Sequence, residues 1–127
     1  MRVLVFDTET TGPRPAQDHL VQLGAILYEG EVERCAVDLL VKPEGYAIPD
    51  AAAAIHGIDT ETAERFGVTH RHAASVFNAL CDRAGLLVGH NLLFDVGIME
   101  SLFKRIGQRD RMPLNENRYC TAMHSTR

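Results

Sequence analysis

The run Val3-Leu4-Val5-Phe6 constrains the fold of this chain more than any other segment, because it is continuously apolar and stops at once at Asp7. A strand with one buried face alternates apolar and polar residues, whereas a strand covered on both faces gives a short unbroken apolar run. We therefore predict that residues 2–6 form a strand inside an α/β sheet. Thr, Gly and Pro residues in segment 7–15 predict a turn region after it.

The rest of the chain predicts a mixed five-stranded sheet flanked by helices. Strands are expected at residues 2–6, 20–28, 32–41 and 86–88, and residues 118–121 are expected to begin a fifth strand. Helices are expected at residues 50–56, from residue 60 onward, and at residues 69–84 and 92–106. A Glu29-Gly30 turn would make the second and third strands antiparallel. Asn91 is the expected N-cap of the last helix, and Gly107 its end.

Composition fits one globular domain, since 127 residues with 46% apolar content can bury a core. The net charge of −4 is the wrong sign for a broad basic surface that grips nucleic acid, so a polyanionic substrate would need locally bound cations. The first apolar run is far too short for a signal peptide or a membrane span, and we expect a cytoplasmic protein. The odd number and wide spacing of Cys35, Cys81 and Cys120 predict free thiols.

Two acidic residues follow the first strand with one residue between them. Side chains alternate along a strand, so Asp7 and Glu9 project to the same face if the extended backbone continues through Thr8. Like charges at this spacing repel each other unless a cation or a proton is shared. A pair of solvated loop acids is the other interpretation, because the pattern D-x-E is weak by itself.

Asp95 is the third acid that needs an explanation. On a helical wheel it lies inside the apolar arc of the last helix, which contains Leu92, Val96, Met99, Leu102, Phe103 and Ile106. A carboxylate aimed at a core is costly unless it is paired, hydrogen-bonded or close to a metal. A local hydrogen bond near the helix N-terminus is the alternative. Together with Asp7 and Glu9, Asp95 predicts an oxygen-rich site for Mg²⁺ or Mn²⁺.

Three segments resemble the DEDD-type, DnaQ-like exonucleases, the family of the proofreading subunit of bacterial replicative polymerase. Residues 5–12 (VFDTETTG) resemble the first motif of that family, and residues 89–95 (GHNLLFD) look like its second motif. Residues 48–58, which include Ile48-Pro49 and His56-Gly57, are similar to the loop and helix after its third strand. The matches run in the order of the family and span nearly the whole chain.

The resemblance implies an RNase H-like fold and a 3′→5′ exonuclease that releases nucleoside monophosphates from single-stranded DNA or RNA. Two divalent ions, Mg²⁺ or Mn²⁺, would be its cofactors. Asp7 would bridge both ions, Glu9 would bind one of them, and Asp95 would hold the site directly or through water.

The same resemblance suggests residues near the substrate. Thr8 and Thr10 would lie near the terminal nucleotide, and His56 and Asn91 near its sugar, base or phosphate. A packing role for His56 and a capping role for Asn91 are equally open. Phe94 is expected in the core rather than as a base-stacking platform.

The third motif of the family, a His and a final Asp on a helix after the last strand, should follow Cys120-Thr121, and the sequence ends at Arg127. His124 has no Asp after it and does not replace this motif. We expect residues 1–127 to be one C-terminally truncated exonuclease domain, a chain completed by a partner, or an inactive member. The isolated chain should then have little or no nuclease activity.

Two functions of other kinds compete with this interpretation. A non-catalytic nucleic-acid-binding or assembly module would keep the fold without turnover. A haloacid-dehalogenase-like phosphohydrolase also has acids after a strand, in the pattern D-x-D-x-T. In this chain the third position of that pattern is Glu9, and the only lysines are Lys42 and Lys104. Both observations weigh against this alternative.

Several properties stay open at the level of sequence. The sequence does not separate RNA from DNA as the substrate, so an oligoribonuclease is an alternative within the family. It also leaves open whether a DNA polymerase is the partner and what the oligomeric state is. A group of arginines near the C-terminus would flank a substrate groove or form a solvated face: Arg105, Arg109, Arg111 and Arg118.

Overall fold

The structure, a computed structural model, describes residues 1–122. Its strands are β1 (Arg2–Thr10), β2 (Leu20–Glu29), β3 (Val32–Leu40), β4 (Leu86–Gly89) and β5 (Arg118–Cys120). Its α-helices are α1 (Asp50–His56), α2 (Thr60–Phe66), α3 (His70–Cys81) and α4 (Leu92–Ile106), and a 3₁₀ turn spans Asn115–Asn117. The element order and the mixed five-stranded sheet are those predicted from the sequence.

The strands are arranged in the order β3-β2-β1-β4-β5, with β1 at the centre. β1 pairs antiparallel with β2 and parallel with β4, and β4 pairs parallel with β5. The carboxyl ends of β1 and β4 therefore lie at the same end of the sheet. That is where open α/β sheets place their ligands.

Helices α3 and α4 cover one face of the sheet. The residues of β1 on that face, Leu4 and Phe6, are buried, and the ring of Phe6 packs against Phe77 of α3 with 5.0 Å between centroids. Facing side chains of the other strands and helices complete the core: Leu23, Ala25, Leu27, Leu87, Met99, Leu102 and Phe103. The apolar arc predicted for α4 is thus the buried face of this helix.

The opposite face of the sheet is less well covered within residues 1–122. Its apolar side chains, of which Val5, Ile26 and Val88 are examples, are only half-buried, and Asp7 is exposed. Helices α1 and α2 form a second small core at one end of the sheet, against Val21 and Leu40. A groove of about 560 Å³ lies on this face between β1, β2 and β3.

Several predicted boundaries were wrong. β1 continues through Thr10 and not only to Phe6, because Thr8 and Thr10 are β-branched and pair with residues of β2. The hairpin turn is Gly30-Glu31, one residue later than predicted, since Glu29 still pairs with Val32 and Gly30 supplies the positive φ of 59°.

Two more ends differ by a few residues. α3 ends at Cys81 rather than Ala84, because the next two backbone bonds, from Arg83 to Leu80 and from Ala84 to Cys81, are those of a tighter turn. β3 ends at Leu40, and Val41 forms a separate bridge with Val68.

Two sequence predictions about small features can be compared with the structure. Cys35 and Cys81 are free thiols, as expected. Gly107 ends α4 in a left-handed conformation, with φ of 69°. None of the helices in residues 1–122 combines the length and apolar composition that crossing a bilayer requires.

Candidate active site

The carboxyl half of β1 extends past its parallel neighbour. Pairing between β1 and β4 joins Val3–Val5 to Leu86–Val88, so the residues from Phe6 onward have no paired residue of β4 beside them. The first turn of α4 begins three residues after β4 ends, at Leu92. The end of β1 and the start of α4 therefore share the space beyond the short strand.

Asp7 and Glu9 lie on the half-covered face of the sheet, because strand alternation separates them from the core residues Phe6 and Thr8. Asp7 is opposite Gly24 of β2, which has no side chain to fill the adjoining space. Both carboxylates also line the groove on this face. The extended backbone through Thr8, on which the same-face prediction depended, is present.

Asp95 projects into the core from the first turn of α4 and is only 2% exposed. Its Oδ1 accepts a hydrogen bond of 2.6 Å from the hydroxyl of Thr8, 87 residues away in sequence. Its Oδ2 is buried and has no hydrogen-bond partner among the described residues. The predicted inward direction of Asp95 is confirmed, and the carboxyl is bonded to a distant strand rather than to its own helix terminus.

Asp7 and Glu9 act electrostatically on the carboxyl group of Asp95. Burial raises the pKa of Asp95 to about 6; the hydrogen bond from Thr8 opposes this rise, and the charges of Asp7 and Glu9 add to it. When two neighbouring negative charges raise the pKa of a carboxyl group, the electrostatic potential at that place is negative. A cation would be stabilised there.

A closed metal site is not preformed, since no three His, Cys, Asp or Glu side chains in the described part of the chain are arranged to hold an ion. The chemistry of the residues nevertheless fits a hard divalent cation. All three candidate ligands offer carboxylate oxygens, and the unpartnered Oδ2 of Asp95 is the kind of buried atom that an ion satisfies.

A cavity of about 620 Å³ adjoins this cluster on the side of α1. Its walls include all four residues predicted to lie near a substrate, Thr8, Thr10, His56 and Asn91, and also Phe94. Its size is within the range of small-molecule sites, about 300–1,000 Å³. The structure therefore brings these residues together at one cleft next to the carboxylates.

The hydrogen bonds within the cleft help to decide between the alternative roles of His56 and Asn91. His56 uses both ring nitrogens on the backbone: Nδ1 accepts from the amide of Ile58, and Nε2 bonds the carbonyl of Thr10 at 3.2 Å. Asn91 is at the N-cap position of α4 but makes no side-chain capping bond. The carboxamide of Asn91 is thus not occupied by the capping role considered for it.

Sequence reasoning missed how the loop between β1 and β2 is fixed. Asp18 accepts bonds from the hydroxyl of Thr11 and the amide of Arg14, which close the loop on itself. Ser101 and Arg105 of α4 then donate to loop carbonyls, with 2.7 Å from Ser101 Oγ to Pro15 O. No periodicity or motif signals contacts between such distant segments.

The other C-terminal arginines also make bonds inside the chain. Arg111 pairs with Asp82, and Arg118 donates to the carbonyl of Pro113 and to Asn115. The backbone carbonyl of Arg109 accepts a bond from Asn78. The residue considered as a replacement for the third motif, His124, lies outside the described residues.

Solved structures of exonuclease I are similar to this fold. A product-bound structure of that enzyme superposes with a TM-score of 0.85 over 98% of this chain and 30% of its own, at 22% identity. The E. coli enzyme in complex with a dT13 oligonucleotide gives a TM-score of 0.76 over 87% of this chain and 25% of its own, at 25% identity. The sheet and its flanking helices thus form a domain of the RNase H-like exonuclease fold.

Sequence comparison gives the family. The RNase T family model, described as exonuclease, matches residues 4–126, and the chain belongs to this exonuclease family. DNA polymerase III PolC-type of Lacticaseibacillus paracasei is 27% identical over 107 residues, and that of Pediococcus pentosaceus is 25% identical over 109 residues. These matches cover 84% and 86% of this chain but span only 7% of each polymerase.

Proposed function

We propose that this chain forms a metal-dependent 3′→5′ exonuclease domain acting on the 3′ end of single-stranded DNA or RNA. The observation that carries the proposal is the buried, unpartnered Oδ2 of Asp95, on a carboxyl group whose pKa is raised further by Asp7 and Glu9. Family membership supports the same chemistry.

Each residue has a role in this proposal. Asp7, Glu9 and Asp95 hold two divalent ions, Mg²⁺ or Mn²⁺. Such ions supply Lewis acidity, which makes water a nucleophile at neutral pH and stabilises charge on a departing oxygen. Thr10 and Asn91 place the terminal nucleotide in the adjoining cleft, against Phe94, and His56 acts on the same wall of the cleft through its bond to the backbone carbonyl of Thr10. Thr8 lines the same cleft, and its backbone can contribute there while its hydroxyl bonds Asp95.

The relatives suggest the substrate and the setting. Exonuclease I of E. coli has been seen with dT13 and dA16 oligonucleotides, which supports single-stranded DNA over RNA as the first substrate to test. The PolC-type relatives are DNA polymerases, which supports proofreading beside a polymerase as the setting. Residues 1–127 contain no counterpart of the His and Asp of the third motif, so we expect little turnover by this chain alone.

Mn²⁺ titration of the purified chain tests the metal site independently of turnover. The wild type should bind Mn²⁺, and Asp7→Asn should weaken that affinity about tenfold or more, because it removes a charged ligand. Asp38→Asn is the matched control: Asp38 is an acid on the same face and pairs with Gly24 next to Asp7 in the sheet, but it is not a proposed ligand. Equal losses in the two variants would contradict the assignment.

A gel assay on a 5′-labelled single-stranded oligonucleotide with Mn²⁺ tests the reaction. We expect slow stepwise shortening or none, and any shortening should disappear in Asp7→Asn. Robust shortening that depends on Asp7 would confirm the nuclease and refute the expected weak activity. Oligonucleotide binding without any Mn²⁺ affinity would favour a non-catalytic nucleic-acid-binding module.

A further inference from the structure

We propose that the hydroxyl of Thr8 is a positioning group that orients the Asp95 carboxylate so that its Oδ2 is presented to a divalent ion. The inference rests on the proposed function, because it assigns a metal ligand to be positioned. Nothing in the family resemblance required this role, since the resemblance suggested a place for Thr8 near the terminal nucleotide.

Strand alternation gives Thr8 a direction that its neighbours do not have. Asp7 and Glu9 project to the half-covered face, whereas Thr8 projects into the core and is 8% exposed. It is on this core side that α4 places Asp95. Thr8 is therefore the residue of the first motif whose side chain reaches across to the third carboxylate.

The hydrogen bond between them restricts the carboxyl group strongly. Its length, 2.6 Å from Thr8 Oγ1 to Asp95 Oδ1, is typical of a hydroxyl donating to an ionised carboxylate. Thr is β-branched, so few χ1 rotamers are open to it, and its hydroxyl is fixed by the backbone of the central strand. The hydrogen bond from a residue of β1 thus restricts the orientation of the Asp95 side chain on α4.

The two oxygens of Asp95 consequently have separate tasks. Oδ1 is occupied by Thr8, and Oδ2 is buried without a partner among the described residues. Leaving a buried carboxylate oxygen unpaired is costly, and a rotation of the carboxyl group that relieved this cost would have to break the bond from Thr8. The hydroxyl therefore keeps Oδ2 in the position where an ion can use it.

The experiment compares Mn²⁺ affinities of Thr8→Val, Thr8→Ser and the wild type by isothermal titration or by electron paramagnetic resonance. Valine has nearly the shape of threonine without the donor, and serine keeps the donor. Groups that orient metal ligands typically change metal affinity by about 10- to 100-fold when they are removed. We expect a loss in that range for Thr8→Val, an affinity within about threefold of the wild type for Thr8→Ser, and unchanged circular dichroism for both.

The possible results separate this inference from the proposed function. If the wild type binds Mn²⁺ through Asp7 and Thr8→Val binds it equally well, the positioning role is wrong and the metal site stands. If the wild type shows no Mn²⁺ affinity sensitive to Asp7, the proposed function fails first. If Thr8→Val does not fold, Thr8→Ala replaces it, and unfolding of both would refute the inference, because the hydroxyl would then serve the fold and not the site.

Discussion

The two oxygen atoms of the Asp95 carboxyl group have different surroundings, because Oδ1 accepts from Thr8 while Oδ2 is buried without a partner among the described residues. The helical wheel of α4 placed Asp95 among apolar residues, and its exposed fraction of 2% agrees. Its partner Thr8 could not be predicted, because the two residues are 87 positions apart and no local pattern joins them. A wheel gives the direction of a side chain but not what it meets there.

Asp95→Asn should stabilise the metal-free chain at neutral pH. The folded pKa of Asp95, about 6, lies above its ordinary value of 3.8, so the buried carboxyl favours folding in its protonated form. The stability that it contributes is complete below the ordinary value and is lost as the pH rises through about 6. Asparagine carries no charge, so its advantage should grow from about pH 4 to pH 6 and then stay level, at about 2 to 3 kcal/mol.

Urea unfolding in EDTA at several pH values measures this advantage. Asp38→Asn, which changes an exposed acid on β3, is the control for the removal of one carboxylate charge. An Asp95→Asn protein that is less stable than the wild type at pH 8 would contradict the prediction.

At the scale of elements, patterns predicted the kind and order of helices and strands better than their ends. The start and the end of α4 agree with the prediction because Asn91 and Gly107 mark them in the sequence. The end of β1 was misplaced because Thr, Gly and Pro indicate turns locally, while pairing with β2 keeps Thr8 and Thr10 extended. Tertiary pairing outweighs local preference at such positions.

The contact between the end of α2 and the end of β3 is close enough to require a glycine. A Cβ on Gly67 would lie 2.5 Å from the amide nitrogen of Lys42 and closer still to the carbonyl oxygen of Ala63, and both atoms belong to the backbone. Gly67→Ala should therefore lower the free energy of unfolding by about 2 kcal/mol or more, because the backbone must shift.

Gly24→Ala is the control for this prediction, since a Cβ on Gly24 meets nothing within 4 Å. That variant should keep or slightly raise stability, because alanine loses less backbone entropy than glycine on folding. Thermal denaturation of both proteins measures the difference, and equal midpoints would show that the ends of α2 and β3 can separate without cost.

At the scale of the whole molecule, a polar cluster around the buried side chain of His70 lies outside the candidate active site. His70 is 5% exposed, and its Nε2 bonds the hydroxyl of Tyr46 at 2.9 Å, while the ring of Tyr46 stacks on His19 at 3.8 Å. Glu44 accepts from the backbone amide of His70, and Arg105 contacts His19. The cluster connects the loops before β2 and after β3 with α3 and α4.

This cluster should make the stability of the chain depend on pH. Burial lowers the pKa of His70 below 6.5, and the charge of Glu44 opposes this only in part; burial and then Arg105 lower the pKa of His19. A histidine with a lowered folded pKa contributes stability above pH 6.5, and this stability is lost as the pH falls below that value. His70→Gln should reduce the loss, because glutamine can still bond Tyr46 and does not titrate.

Denaturant unfolding of the wild type and His70→Gln between about pH 5 and pH 8 measures the contribution of His70 to the pH dependence of stability. The contribution of Asp95 is common to both proteins and cancels in the comparison. His72→Gln, at an exposed position of α3, is the control and should behave as the wild type. Parallel pH profiles for the wild type and His70→Gln would contradict the assignment.

The alternation of β1 has a consequence for how this sequence can change over evolutionary time. Leu4, Phe6 and Thr8 fill the core side of the strand, while Asp7 and Glu9 occupy its other side. A point substitution alters one of these sides, but a one-residue insertion or deletion before Asp7 would exchange them, burying acids and exposing core residues. Insertions and deletions should therefore be absent from this strand in functional homologues. They should occur instead in connections such as the Gly30-Glu31 turn, where a change in length does not move side chains from one face of a strand to the other.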